Sequence, residues 1–179
     1  MLALDALSSG MRQVERQYVA HELELADVIW SAAVMKKAMK VIQARMLAQG
    51  QHMPSLGTVV FGTVEGDIHD LGKDIVSMFL IARGFRIIDL GVDVTAERFV
   101  DAVRQYRPDI LAMSALLTTT AQNSRLVIQA LDAAGLRSGV KVIVGGGPVT
   151  PHLAKEVGAD GYAPDAREAA ALAWRLTQP

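Results

Sequence analysis

With 179 residues, 51% of them hydrophobic and 21% charged, the chain is long enough for one domain with a sizeable core and a small helical appendage. A formal net charge of −1, no basic block and only 5% aromatic residues argue against nucleic acid or an anionic membrane as partner. The absence of cysteine excludes disulfides, thiolate nucleophiles and Cys-ligated zinc or iron–sulfur sites. No apolar run nears the roughly 20 residues of a membrane-spanning helix. The opening MLALDALSSG lacks the basic segment of a secretory signal, so a cytoplasmic location is expected.

Residues 1–53 read as a helical region. Ser8-Ser9-Gly10 suits the start of a helix carrying Met11, Val14 and Tyr18. A longer helix is expected over 21–49, with Leu25, Ile29, Ala32, Met35, Met39, Ile42 and Met46 at three- and four-residue spacing. Gly50 is placed to end it, and 51–56, containing Pro54, reads as a linker. Two helices bury little alone, so this apolar face must pack on the second region, a ligand or another chain.

Residues 54–179 alternate strand and helix: strands over 58–64, 86–90, 109–114, 141–144 and 161–163, helices over 71–82, 96–106, 120–134, 151–157 and 165–176. The strands are nearly continuous apolar runs (TVVFGTV, DILAMSA, KVIVGG), as needed when helices cover both faces of a parallel sheet. The expected fold is therefore α/β: a five-stranded, parallel, doubly wound sheet of flavodoxin-like or Rossmann-like type, preceded by a short helical cap. Ligands of such sheets bind beyond the carboxyl ends of the strands.

The polar residues fall at those ends. After the first strand comes Gly66-Asp67-Ile68-His69-Asp70-Leu71-Gly72-Lys73, after the third Ser114 to Thr120, and after the fourth Gly145-Gly146-Gly147-Pro148. His69 can reach a metal while Asp67 accepts a hydrogen bond from its other ring nitrogen, which is how proteins orient a ligating histidine. The plainer alternative is a surface histidine beside a helix-capping aspartate. Zinc fits poorly with a single histidine. An acidic magnesium pocket of Asp67, Asp70 and Asp74 competes with a cap and a solvated helix face. The glycine triplet allows close backbone approach, or merely a turn, and the hydroxyls of Ser114, Thr118 and Thr120 suit a ligand or a helix cap. His21, His52 and His152 have no partner nearby in the sequence and read as solvated or capping.

Taken together, Asp67-x-His69-x-x-Gly72, 41 intervening residues (73 to 113), Ser114-x-Leu116, a further 28 (117 to 144) and Gly145-Gly146 resemble the vitamin B12-binding signature. That signature belongs to cobalamin-dependent methionine synthase, methyltransferase corrinoid proteins and B12-dependent mutases. The segments GDIHDLGKDIV, DLGVDV, SALLTTT and GADGYAPDA further resemble the corrinoid proteins of methyl transfer. The resemblance implies a carrier that accepts and donates a methyl group through Co(I) and methyl-Co(III), loaded with methylcobalamin or another corrinoid. It implies His69 as the lower axial cobalt ligand, Asp67 bonded to His69, and Thr120 bonded to Asp67, the three through which protonation, ligation and redox state would be coupled. Ile68, Asp70, Gly72, Ser114, Leu116, Thr118 and the glycines Gly145, Gly146 and Gly147 are implied as cofactor contacts, with Tyr162 closing the far end.

The implied partners are a substrate-specific methyltransferase, a methyl-acceptor methyltransferase and a reductive activator. The helical region resembles the second half of the family's four-helix cap. Trp30, Met35 and Met39 are either a shield over the cofactor or ordinary bundle core, and the remaining apolar face suits pairing with a second copy. Two other readings keep cobalamin: a subunit of an adenosylcobalamin-dependent mutase, which would generally lack the cap, and a cobalamin-based sensor. A cofactor-free interaction domain, such as a receiver, leaves the strand-end His69 unexplained.

Overall fold

Strands that are apolar along their whole length must be covered on both faces, and this chain folds accordingly. The computed structural model describes residues 2–48 and 55–178. Helices α1 (Leu2–Val19) and α2 (Leu25–Ala48) precede β1 (Thr58–Thr63), α3 (Leu71–Arg83), β2 (Arg86–Asp89), α4 (Ala96–Tyr106) and β3 (Ile110–Ser114). The one-turn α5 (Thr118–Ala121) is followed by α6 (Asn123–Ala133), β4 (Lys141–Gly145), α7 (Pro151–Val157), β5 (Gly161–Ala163) and α8 (Ala166–Leu176). The strands form a five-stranded sheet of order β2-β1-β3-β4-β5, parallel throughout, which is the doubly wound architecture the sequence predicts.

Alternate strand residues feed two separate cores, because successive side chains point to opposite faces. Val60, Leu111 and Val142 join Phe99, Val127 and Leu131 beneath α4, α6 and α7. Val59, Phe61 and Ile110 join Phe79, Leu80, Ala170 and Ala173 beneath α3 and α8. Met11, Val28 and Met35 of the helical hairpin belong to this second cluster, and α1 lies along α3, with Arg12 Nη1 donating to the carbonyl of Ala82 (3.3 Å). The face of the first two helices that carries Met11, Val28 and Met35 is therefore covered by the second region.

Several boundaries differ from expectation. α1 starts at Leu2 and runs through Ser8-Ser9-Gly10, because Leu7, Met11, Val14 and Tyr18 form one seam against the core; tertiary packing overrides the weak local start signal. α2 starts at Leu25 and not near residue 21, since His21 takes a left-handed φ of 59° and Asp27 Oδ2 accepts from the N–H of Glu24 (2.9 Å). The helix expected over 120–134 is two helices meeting at Gln122. The predicted stop at Gly50, most of the linker, His52 and the side chain of Met46 lie outside the described residues.

One glycine sets how closely the layers approach. A β-carbon on Gly62 of β1 would lie 2.9 Å from the ring of Phe99, which is fully buried on α4. Gly62→Ala is expected to destabilise the fold by about 1–3 kcal/mol through overpacking, measured as a lower urea midpoint with an unchanged slope.

Candidate functional site

The chain leaves β1 toward β2 on one side, and β3 lies on the other, so the loops after β1 and β3 part at this point of the sheet. Ligands of such sheets bind at that point. The site there rests on a row of strand-end residues in register, Thr63 with Ser114, Ser114 with Gly145 and Gly145 with Ala163.

At its centre is Asp67, with 0% of its surface exposed. Asp67 Oδ2 accepts from the N–H of Leu116 (2.7 Å), the N–H of Leu117 (3.2 Å) and the hydroxyl of Thr120 (2.9 Å). Its Oδ1 accepts from the N–H of His69 (3.1 Å) and lies 2.7 Å from His69 Nδ1. Burial by itself raises the pKa of Asp67. The donors, led by the Leu116 N–H and the His69 ring, outweigh it and hold the carboxyl far below the usual carboxylate range. An ionised partner at Nδ1 places the ring proton there, so the neutral imidazole carries its free lone pair on Nε2. The His69 side chain is 47% exposed. The arrangement is a surface nitrogen donor whose tautomer is set by a buried charge.

Residues outside the expected set hold the loop. The backbone N–H of Gly66 donates to Asp93 Oδ1 (2.7 Å) and that of Asp93 donates to the carbonyl of Asp67 (2.9 Å). Asp93 does this from a left-handed φ of 52°, a conformation Asp tolerates better than most residues. Asn123 Nδ2 donates to the carbonyl of Glu65 (2.8 Å), and the buried hydroxyl of Thr63 donates to that of His69 (3.0 Å). Below them Lys73, 2% exposed, binds Asp89 (2.8 and 3.0 Å) and Asp74 (2.9 Å). Burial lowers the pKa of Lys73, but these bonds dominate and raise it. Its ion pairs therefore stabilise the fold below the ordinary lysine range and are lost as pH rises through the raised value. In the sequence, the sole signals of these roles are a threonine ending an apolar strand and an aspartate just after Gly91.

Asp67, His69 and Thr120 thus converge in the structure. Ile68, Leu116 and Leu117 on these loops and Leu71 at the start of α3 expose their side chains, so the segments that carry and hold the imidazole present apolar surface. Gly72 is exposed in the first turn of α3, where an added β-carbon would meet nothing within 4 Å. Thr118 is exposed, and Ser114 half-buried. Asp70 occupies the N-cap position of α3, but its side chain makes no capping bond, which removes the cap expected there. No three histidine or acidic groups gather as a metal cluster among the described residues, so the acidic pocket of Asp67, Asp70 and Asp74 is not formed. Asp67 is occupied by donors and Asp74 by Lys73.

The glycines after β4 are needed by the chain's own backbone. A β-carbon would lie 2.8 Å from the Ala163 carbonyl oxygen at Gly145, and 1.8 Å from that of Ala115 at Gly146, which has φ 122°. Gly147 faces Leu116, 3.5 Å from its Cδ1 by the same measure. Tyr162 lies opposite Val144 in β5 and packs on the core cluster of Val144, Val149 and Ala154. Met35 is core and Met39 half-buried beside it, whereas Trp30 is 73% exposed. His152 is exposed on α7, 4.0 Å from Glu156. No helix among the described residues is long and apolar enough to cross a membrane.

The chain resembles known proteins over most of its length. A family model described as a B12 binding domain matches residues 57–171, and a second model of the same description matches residues 2–43. Trimethylamine corrinoid protein 1 of Methanosarcina acetivorans is 43% identical over 161 residues, 90% of this chain and 74% of that protein. Dimethylamine corrinoid protein 2 of Methanosarcina mazei is 44% identical over 172 residues, 96% of this chain and 80% of that one. A crystal structure of the methanol:cobalamin methyltransferase complex from Methanosarcina barkeri contains a chain with TM-score 0.87 and 33% identity, covering 98% of this chain and 66% of its own.

Replacing the charge at the centre has a defined consequence. Asp67→Asn is expected to lose about 2–3 kcal/mol at neutral pH, because buried donors are left facing an amide. The folded-state pKa of Asp67 is depressed, so its stabilisation is present above the ordinary value of 3.8 and lost as pH falls below it. Denaturation of both proteins across pH should therefore show the gap narrowing in acid.

Proposed function

The chain belongs to the B12-binding family of corrinoid proteins, and from that membership we propose that it carries a methyl group on the cobalt of a bound corrinoid between partner methyltransferases. The observation that supports this most directly is the exposed His69, tied through Nδ1 to the fully buried Asp67 at the point where the β1 and β3 loops part. One nitrogen donor on segments that present apolar surface suits a flat macrocycle with a metal at its centre, and the space beside Gly72 leaves room for it. When bound, the corrinoid supplies a cobalt that alternately accepts and releases a methyl group.

The chain's own residues do the rest. His69 would hold the cobalt through Nε2, while Asp67 keeps the ring proton on Nδ1 and strengthens the donor. Thr120, Leu116 and Leu117 keep Asp67 charged where none of its surface is exposed. Ile68, Asp70, Gly72 and Thr118 would contact the corrinoid ring, and Ser114, Leu116, Gly145, Gly146 and Gly147 would hold its nucleotide tail. Tyr162 belongs to this reading through the core on which β5 rests.

In this reading residues 1–53 are the cap and 54–179 the corrinoid-binding domain. Methylcobalamin is the loaded form, one methyltransferase charges it and a second discharges it, a reductive activator restores the cofactor, and all act in the cytoplasm. The exposed Trp30, Val34 and Val41 share one face of α2, opposite Val28 and Met35; a second copy covering that face makes a homodimer through the cap. Trp30→Lys with Val34→Lys is then expected to halve the mass found by light scattering, and a wild type of monomer mass would remove the dimer from the proposal.

Incubation with hydroxocobalamin followed by desalting tests the main reading. Wild type is expected to keep its colour and to show the bands of a histidine-ligated cobalt, which His69→Ala loses. Thr120→Ala should bind about 10- to 100-fold more weakly. A folded wild type that emerges colourless overturns the proposal.

A further inference from the structure

Thr63 is the last residue of β1 and has 0% of its surface exposed. Its backbone is fixed on both sides: its N–H donates to the carbonyl of Gly91 and its carbonyl accepts from the N–H of Val94, each at 3.0 Å. Across the sheet it lies in register with Ser114. The hydroxyl therefore starts from an immobile origin, and it donates to the carbonyl oxygen of His69 (3.0 Å). That oxygen lies outside the helical ladder of α3, whose first turn closes from the Asp74 N–H to the Asp70 carbonyl (2.8 Å).

His69 is thus held at three points. Its N–H and its Nδ1 meet Asp67 Oδ1, and its carbonyl meets Thr63. The first two bonds alone leave the His69 carbonyl unheld, and a change in the backbone angles there shifts the loop that carries the ring where it enters α3. With the carbonyl fixed as well, the direction of Nε2 is determined by rigid elements. A valine would fill the same space in the strand without holding the carbonyl.

Resting on the reading of His69 as the cobalt-facing donor, we propose that Thr63 is a positioning residue for that site: its buried hydroxyl anchors the His69 peptide and so aims Nε2. Neither the B12-binding signature residues nor the Asp67 network requires a hydroxyl at this place.

The test compares full-length wild type with Thr63→Val, which removes the hydroxyl at nearly constant shape, and Thr63→Ser, which keeps it. Thr63→Ala provides a second hydroxyl-free protein without steric demand, should the valine variant fail to fold. The first readout needs no cofactor: nitrogen-15 spectra of the imidazole at alkaline pH give the ratio of Nδ1–H to Nε2–H forms of His69. The second is the ratio of histidine-ligated to unligated cobalt in the visible spectrum after loading with hydroxocobalamin. Thr63→Val and Thr63→Ala are expected to lower both ratios roughly tenfold, about the factor one net hydrogen bond controls, and Thr63→Ser to restore them to within about twofold. Hydroxyl-free variants with wild-type ratios, or a serine variant as impaired as the valine one, overturn the proposal. If wild type shows the Nδ1–H form yet binds no cobalamin, the proposed function fails, and the positioning role is decided by the imidazole spectra of the variants alone.

Discussion

A carboxylate with no exposed surface that must nevertheless stay charged governs the ligand-facing end of this protein. Removing an ion from water is costly unless donors replace the lost hydration. Asp67 has five such donors: two from His69, two backbone N–H groups after β3, and the hydroxyl of Thr120. They come from three places in the chain, so satisfying one charge ties together the loop after β1, the loop after β3 and α5. The break between α5 and α6 follows from the same requirement. A single turn is set apart from the longer helix, and Thr120 within it reaches Asp67.

The charge is useful because only one end of the network reaches the surface. Four of its five bonds end in groups that hold Asp67 in place, and the fifth passes the constraint to the exposed ring of His69. Around this point the protein is stiff underneath and apolar on top. Lys73 and Asp89 join α3 to the end of β2, and Asp93 grips the loop from the following turn. Ile68, Leu71, Leu116 and Leu117 expose apolar surface above. Rigid support beneath a pre-oriented donor lowers the ordering cost of taking up a large planar ligand.

The helical hairpin adds a second constraint. α2 is apolar on two opposite faces, one carrying Val28 and Met35 into the core and the other presenting Trp30, Val34 and Val41 to solvent. A helix apolar all round is normally enclosed. On the core-facing side Met35 is buried among residues of the hairpin and of the helices that cover the sheet, a place that a flexible methionine suits. The outer side is chemistry the fold of one chain does not use.

Periodicity in the sequence was sufficient for the alternation of strands and helices, the parallel sheet and the placing of polar loops at its carboxyl end. These features depend on local patterns of burial, which neighbouring residues already encode. The spacing of Asp67, His69, Ser114, Thr120 and the glycines was legible for the same reason: each lies at a fixed offset from a strand end. Tertiary structure alone decided what those residues do to one another. Gly145 and Gly146 read as places of close approach or a turn, and the fold decides that the carbonyls of Ala163 and Ala115 are among what approaches them. Thr63 and Asn123 read as nothing in particular and Asp93 only as part of DLGVDV, because a threonine at the end of β1 or an aspartate after Gly91 gains its role from a carbonyl or N–H on another part of the chain. Hydrogen bonds between segments depend on distances that only closure of the fold creates, and sequence spacing carries no record of them.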